Sequence, residues 1–554
     1  MRTARVTTFL ASSGWCFLLL TTALGAQDRE TQQEGARAEE MEVPPVVFEY
    51  DSPPQREINA LIPEPEPLNV PEIELILPEP EKMEISSLQV PISPPAEPLE
   101  EEATESSFFS EGRIGVGVNN HLLGDISLYK RGESPHFSFG FSHEGTDGYG
   151  EKPSGTGYFH RVEQLTGSFR GEGDNGSLDV NGEYREQEKG LQDFSEASSV
   201  IHRFVSADST AVYGITEKLR TEVEAGGHFG SRVIAGVSAS DGGEDNSYSD
   251  PLGEWLVTPA AGLIYRDDWG EFKTEGGYTF YSGVEGDIFH TLKGALGLSF
   301  FLNSADISTR LGVLWDDGEG VLYPFTLKAE GMAGELFNYR IEGGYRTERS
   351  DYRTLWRSSP LLGAAQSLPL SHGWRGEGNI GGTVQDAWDW SVEGSFYAAK
   401  NYPMPAGFSE KYIEGEDPKN SGLVKMETTD ANIAGSGVTL GWNPNPLTRL
   451  SLSWEGEFLG EAVTPEGQHR VSAGVQLEDE EGIYGGSFNG AYRLNPTADL
   501  PIIGSEAFYR ISEGIIARLE WTDMLGPLVG GGRKIWGDYI EPGMQLRVLM
   551  EISL

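Results

Sequence analysis

The densest run of potential metal ligands is DGGEDNSYSD, Asp241 to Asp250. Its carboxylates would suit a hard cation such as Ca²⁺, which takes oxygen ligands. An EF-hand loop closes on a Glu at a fixed position, and no Glu stands there, so the run reads as a solvated acidic loop. The nine histidines show neither an HExxH nor any other paired spacing, so no zinc site is expected. No GxSxG announces a nucleophile elbow, and no Ser-His-Asp set stands out in so polar a chain. Gly530 to Gly532 fall in a loop between strands rather than before a helix, so they do not form a phosphate cradle. The sequence therefore points away from an enzyme. No catalytic residue, cofactor-binding residue or metal ligand is expected, and no cofactor.

The elements that would carry any such residues have a period of two. In GDNGSLDVNGEYRE, Gly173 to Glu186, an Asp-Asn-Gly turn is followed by strict alternation. Leu178, Val180, Gly182 and Tyr184 share one face of a strand; Asp179, Asn181, Glu183 and Arg185 share the other. The same alternation recurs from Gly112 onward, in EFKTEGGYTF, LFNYRIEGGY, WSVEGSF, LSLSWEGEF, YGGSFNGAY and LRVLMEISL. Most of these stretches are about nine to twelve residues long, the length a tilted strand needs to cross a bilayer. Several end their apolar face in Tyr, Phe or Trp, where an aromatic girdle would sit.

Composition bounds the rest. The chain has 554 residues, 38% hydrophobic, with 72 Gly and a formal net charge of -45. Such a charge argues against nucleic acid as a partner, because phosphate contact needs a basic surface. After the N-terminus no apolar run is long enough for a transmembrane helix. Residues 1–26 read as a cleaved export signal: Arg2 and Arg5, then the apolar Phe17 to Leu20, then small residues up to a cut near Gly25 or Ala26. The single cysteine, Cys16, lies inside this signal. The exported chain then has no disulfide, and its stability is expected from an extended hydrogen-bonded sheet. Residues 27–107 are acidic and proline-rich, as in LIPEPEPLNVPEIELILPEPEK. Proline lacks a backbone donor and fixes φ, so this arm is expected to be extended or disordered. It is either a plain linker or a tether whose apolar patches, Ile73 to Leu77 and Leu88 to Ile92, dock on a periplasmic protein.

Residues 108–554 then carry about 22 strands, and their connections alternate in length. Tight connections are expected at Lys130–Pro135, Asp174–Gly176, Thr216–Lys218, Asp267–Gly270, Asn303–Asp306, Gly331–Glu335, Gln385–Ala387, Asn443–Pro446, Glu478–Gly482 and Ser512–Gly514. The connections between those hold the long loops, notably Gly145–Glu163, Ala235–Gly253, Glu348–Gly373, Asn401–Thr429 and Asp523–Pro542, while three of them, Asn119–Leu123, Gly283–Asp287 and Asp316–Gly320, are modest. Alternation of this kind is the mark of an outer-membrane barrel with periplasmic termini, and a soluble sandwich has no reason for it. The expected fold class is all-β: a closed antiparallel transmembrane β-barrel preceded by a proline-rich extended arm.

The C-terminal run FYRISEGIIARLEWTDMLGPL, then GRKIWGDYIEPGMQLRVLMEISL, resembles the end of a TonB-dependent receptor barrel. The shared features are a penultimate strand, a loop, a Tyr-x-x-Pro-Gly turn at Tyr539, Pro542 and Gly543, and a final alternating strand from Leu546 to Leu554. The strand count agrees with that family's. The family's plug domain and TonB box have no counterpart between the signal and the first strand, so the resemblance implies a plugless barrel and does not extend to energised import.

The resulting expectation is a bacterial outer-membrane barrel for passage or capture of a solute or polymer, with long extracellular loops and a polar acidic lumen. The other reading is a structural anchor or adhesin whose arm tethers a periplasmic partner. Expected partners are outer-membrane lipid and lipopolysaccharide and the outer-membrane assembly machinery. An open barrel of this size would be a large hole, so it is expected to be occluded by inward-folded loops, by the arm or by a separate partner.

Overall fold

The computed structural model describes residues 107–554, apart from 133, 193, 196, 237–250, 303, 335–336, 365–366, 386, 409–422, 460–468, 495–499, 530–531, 535–538 and 554. The expected signal, the proline-rich arm and the acidic run Asp241–Asp250 thus lie outside the described residues.

One antiparallel sheet accounts for nearly everything else. Its first staves are β1 (Ser107–Gly117), β2 (His121–Arg131), β3 (His136–Asp147), β4 (Phe159–Gly173), β5 (Gly176–Gly190), β6 (Ser199–Gly214), β7 (Leu219–Ala235) and β8 (Leu252–Asp267). There follow β9 (Gly270–Ser282), β10 (Ile288–Phe301), β11 (Ala305–Asp316), β12 (Gly320–Leu322 and Phe325–Ala333), β13 (Phe337–Arg349), β14 (Leu370–Val384) and β15 (Trp388–Phe408). The last are β16 (Val424–Asn445), β17 (Thr448–Leu459), β18 (His469–Glu478), β19 (Tyr484–Arg493), β20 (Ile502–Ser512), β21 (Ile515–Thr522) and β22 (Gln545–Ser553). The two pieces of β12 both pair with β11 and flank Pro324, whose carbonyl still accepts from Gly312. They are one stave, interrupted where proline has no N–H to give.

Each stave pairs with the next, and β1 pairs with β22 from Glu111↔Ser553 to Gly117↔Arg547. The sheet is therefore a closed barrel of 22 strands. Closure satisfies every ladder and leaves no edge, which hydrocarbon requires.

The alternation read from the sequence sorts the two faces. On β10, Ile288, Leu292, Leu296 and Phe300 are exposed on the outside, while Lys293 and Ser299 belong to the inner set. Trp255, Trp315, Trp374 and Trp521 mark one outer rim; Tyr265, Trp388, Trp442, Tyr484 and Tyr509 mark the other. These are two aromatic girdles.

Connection lengths alternate as expected. The tight side has no connection longer than 479–483, whereas the other side holds 350–369 and 523–544. Two members of the long side, 118–120 and 317–319, are as short as three residues, and the first is explained by Asn119 and Asn120, at φ 58° and 49°. Asparagine tolerates this left-handed region, and two such residues in succession make a hairpin turn.

One expectation needs correcting. Many staves run well beyond twelve residues, and β15 and β16 consume much of the loop expected at Asn401–Thr429. Pro403 and Pro405 read as loop residues in the sequence. They are accommodated in the strand by register shifts between Ala399 and Tyr402 and between Pro405 and Gly407. Such bulges absorb the missing donors and bend the hairpin.

Candidate functional site

On the long-loop side, described parts of several connections fold over the mouth. The segment 350–369 between β13 and β14 contains a short helix, α1 (Tyr352–Ser358). Asp351 is its N-cap, with Oδ1 accepting the Thr354 N–H at 2.6 Å. So short a helix would not form alone. It is held by burial of Tyr352 and Trp356, one turn apart with ring centroids 5.1 Å from each other.

Trp356 packs among Phe204 from the inner wall of β6, Leu362, Ala364 and Leu368 from its own segment, and Val424 and Met426 from β16. Its indole N–H donates to the Leu362 carbonyl at 3.1 Å. Leu362 forms a parallel bridge with Val424, closed by Gly363 N–H to the Val424 carbonyl at 2.7 Å and Val424 N–H to the Leu361 carbonyl at 2.8 Å.

Polar contacts fix α1 to the wall. Arg357 donates to both oxygens of Glu183 on β5, at 2.7 and 2.9 Å. The Arg353 guanidinium reaches Glu183 at 3.4 Å and Ser206 at 3.0 Å. The Arg353 backbone N–H donates to Glu254 Oε1 on β8 at 2.6 Å, and Tyr281 OH donates to Glu254 Oε2 at 3.1 Å. Glu183 belongs to the charged set of the opening stretch of β5, which identifies that face as the interior. At the start of the segment, Arg349 is paired with Asp316 on β11 and lies over the rings of Tyr281 and Phe289.

A second apolar cluster joins more distant connections: Leu191, Ala197 and Val200 near the β5–β6 loop, Ile234, Leu361, Leu423 and Tyr539. Phe194 packs on Tyr539 at 4.5 Å between centroids. Gln192 clasps Ile540 through its carbonyl at 2.6 Å and its N–H at 2.8 Å, and also donates to Tyr149 OH at 3.0 Å. Ile540–Pro542 pairs with Gly532–Lys534 as a small ribbon. The Tyr-Pro-Gly stretch read as a turn is thus built into this ribbon, with Tyr539 fully buried. Burial pushes the hydroxyls of Tyr149 and Tyr539 well above the usual tyrosine range. Arg533 binds Asp523 and the carbonyls of Leu500 and Pro501, tying in the β19–β20 connection.

The positions of these residues around the barrel matter. β5 and β16 stand on opposite sides of the 22-strand ring. At the usual strand spacing and tilt such a ring is about 40 Å across. Leu191 and Leu423 can share one apolar cluster only if the connections cross the mouth. The β15–β16 hairpin, bent at its bulges, and segment 350–369 do so.

The wall itself is polar and carries both signs. Lys273 pairs with Glu222, Arg310 with Glu275 at 2.8 Å, Arg113 with Asp125 at 2.8 Å, and Arg518 with Glu506 and Glu551. A recess of about 220 Å³ on the wall is lined by Lys273, Arg310, Thr326, Lys328 and Glu342 among others.

Among solved structures the chain is similar to a mutant ferric enterobactin receptor (PfeA) from Pseudomonas aeruginosa, at 10% identity and TM-score 0.58, covering 81% of this chain and 80% of that one. It is also similar to the copper transporter OprC, at 11% identity and TM-score 0.59, covering 81% of each. The FrpB iron transporter from Neisseria meningitidis matches at 8% identity and TM-score 0.57, covering 82% of each chain. The chain shares its barrel fold with these receptor and transporter structures. At these identities the likeness is one of fold alone, and it makes the chain a β-barrel of the outer-membrane type. No protein-family pattern and no curated protein matches the sequence.

The sequence named no site residue, and the lid was its main omission. A signal was present in SDYRTLWRSSP: an Asp N-cap, Tyr352 and Trp356 at helical spacing, and Pro360 just after the end. Asp351, His228 and Glu254 also come together here, with one ligand atom from each within 4.8 Å of the others. They stand far apart in sequence, so no spacing could have announced them.

Proposed function

We propose that the chain is a gated outer-membrane barrel that passes or captures a solute or polymer. Its extracellular mouth is closed at rest by the lid of α1 and its neighbours, and the lid must yield for transit. The single observation that supports this reading is the attachment of α1 to Glu183 on the inner wall, which puts a folded obstacle inside a barrel of this width. Two neighbours in fold are described as transporters and one as a receptor, which agrees with a transport role. The paired charges of the wall suit a hydrated, polar cargo, with selectivity exerted by the long loops.

A second reading rests on the same lid. A mouth roofed by two apolar clusters also suits an anchor that never conducts, with the proline-rich arm, on the periplasmic side, tethering a protein partner. Planar-bilayer currents separate the two. The full chain, a variant lacking 352–368 and a variant lacking 27–106 are compared. Gating predicts large currents when 352–368 is removed and small, rare ones otherwise. Silence in all three would overturn the transport reading. Larger currents on removing the arm alone would make the arm the principal obstacle.

A further inference from the structure

We propose that His228, Glu254 and Asp351 form a binding site for one divalent transition-metal cation of the zinc type. The three come from separate elements: His228 from the inner face of β7, Glu254 from β8, and Asp351 from the lid just before α1. Their candidate ligand atoms all lie within 4.8 Å of one another, and imidazole Nε2 stands 3.4 Å from Asp351 Oδ2.

The state of each group supports the assignment. The His228 side chain is 12% exposed, and its Nε2 is fully buried without a hydrogen bond of good geometry. A buried ring nitrogen beside a carboxylate is costly unless something uses it. Asp351 spends Oδ1 on the Thr354 N–H and keeps Oδ2 directed at His228. Glu254 is completely buried and is oriented by the Arg353 N–H and the Tyr281 O–H. Hydrogen bonds of this kind fix a carboxylate's direction while leaving it lone pairs for a metal. The nearby base, Arg353, sends its guanidinium to Glu183 and Ser206 instead. Two carboxylates and an imidazole thus come together, and a dication would balance the carboxylates in their ionised form. One nitrogen and two carboxylate ligands suit zinc and its first-row relatives better than Mg²⁺ or Ca²⁺, which take oxygen alone.

The consequence rests on the gated reading above. Two ligands belong to the wall and one to the lid, so the bound ion would pin α1 in its closed position.

The test uses tag-free full-length protein in detergent, stripped with a chelator and titrated with Zn²⁺ by calorimetry, with Co²⁺ absorption as a second probe. One Zn²⁺ per chain is expected. His228→Ala should weaken binding at least about tenfold, because losing merely a partner that orients a ligand already costs about 10–100-fold. Asp351→Asn can still cap α1 and should weaken it comparably, which separates ligand loss from loss of the lid. No stoichiometric binding, or equal binding in both variants, overturns the site. Zn²⁺ should also lower open probability in bilayers for the wild type and not for His228→Ala. If Zn²⁺ binds as expected but leaves the currents unchanged, the pinning fails while the site stands.

Discussion

Replacing Glu183 by Ala should loosen the lid and take from the barrel only one wall contact, the Gln164 Nε2–H donation to Glu183 Oε1 at 3.1 Å, while leaving the backbone ladders intact. Glu183 accepts two hydrogen bonds from Arg357 and a longer one from Arg353. The Arg357 and Glu183 side chains are 30% and 16% exposed. A fully buried pair loses about 3–5 kcal/mol when one partner is removed, and an exposed pair loses about 1 or less. The intermediate exposure and bidentate geometry place this contact at about 2 kcal/mol, the usual scale for hydrogen bonds to a charged group. The energy is present only while α1 is docked, so it enters the closed-to-open ratio directly. About 2 kcal/mol is about a 30-fold change. Single-channel recording should therefore show open probability rising about 30-fold in Glu183→Ala, with unit conductance unchanged. The barrel's ladders should keep their resistance to detergent on gels. Unchanged open probability in a variant that still migrates as a folded barrel would refute the reasoning.

Other outcomes follow from the same contacts. Trp356→Ala removes the centre of the first apolar cluster, a change of roughly 3–5 kcal/mol in a packed site, and should make trypsin cut at Arg353 and Arg357 in otherwise intact protein. The buried hydroxyls of Tyr149 and Tyr539 titrate above the ordinary value of about 10. Their contribution is complete below that pH and is lost as pH rises through the folded-state values, because only the released lid can ionise them freely. Open probability should accordingly climb above about pH 10, and substituting both tyrosines by Phe should blunt the rise. Leu296→Arg puts a charge on the outer face of β10 and should cost about 2–4 kcal/mol if it lies near the bilayer midplane, read by folding titrations into vesicles; Ala295→Arg, facing the lumen, should cost far less.

The barrel was legible because its information is local. Leu178, Val180 and Tyr184 against Asp179 and Glu183 fix a strand and its two environments within a few residues. The alternation of tight and long connections then fixes the topology. The lid was not legible because its information is long-range. Leu191, Leu361, Leu423 and Tyr539 occur in loops with no period, and nothing in their neighbourhoods says that they meet. The same holds for His228, Glu254 and Asp351, each ordinary where it stands. The helix of the lid lay between these extremes. Its cap and its aromatic pair were visible, but a helix so short earns its stability from packing partners that the sequence does not name. Strand ends are less legible for a related reason: proline at 403 and 405 reads as a stop, yet bulges let β15 continue past the expected boundary.

The most direct test of the closed lid is a reversible lock between α1 and the wall. A Cβ built on Gly230 of β7 would lie 3.2 Å from the Cβ of Arg353, a few tenths of an ångström inside the roughly 3.5–4.5 Å that a disulfide spans, so a small outward shift of α1 admits the bridge, and the only native cysteine is Cys16. In Gly230→Cys/Arg353→Cys the account predicts a disulfide that abolishes channel openings under oxidising conditions, with openings more frequent than in the wild type after reduction. Equal currents in the oxidised and reduced states, or failure of the pair to cross-link, would contradict it.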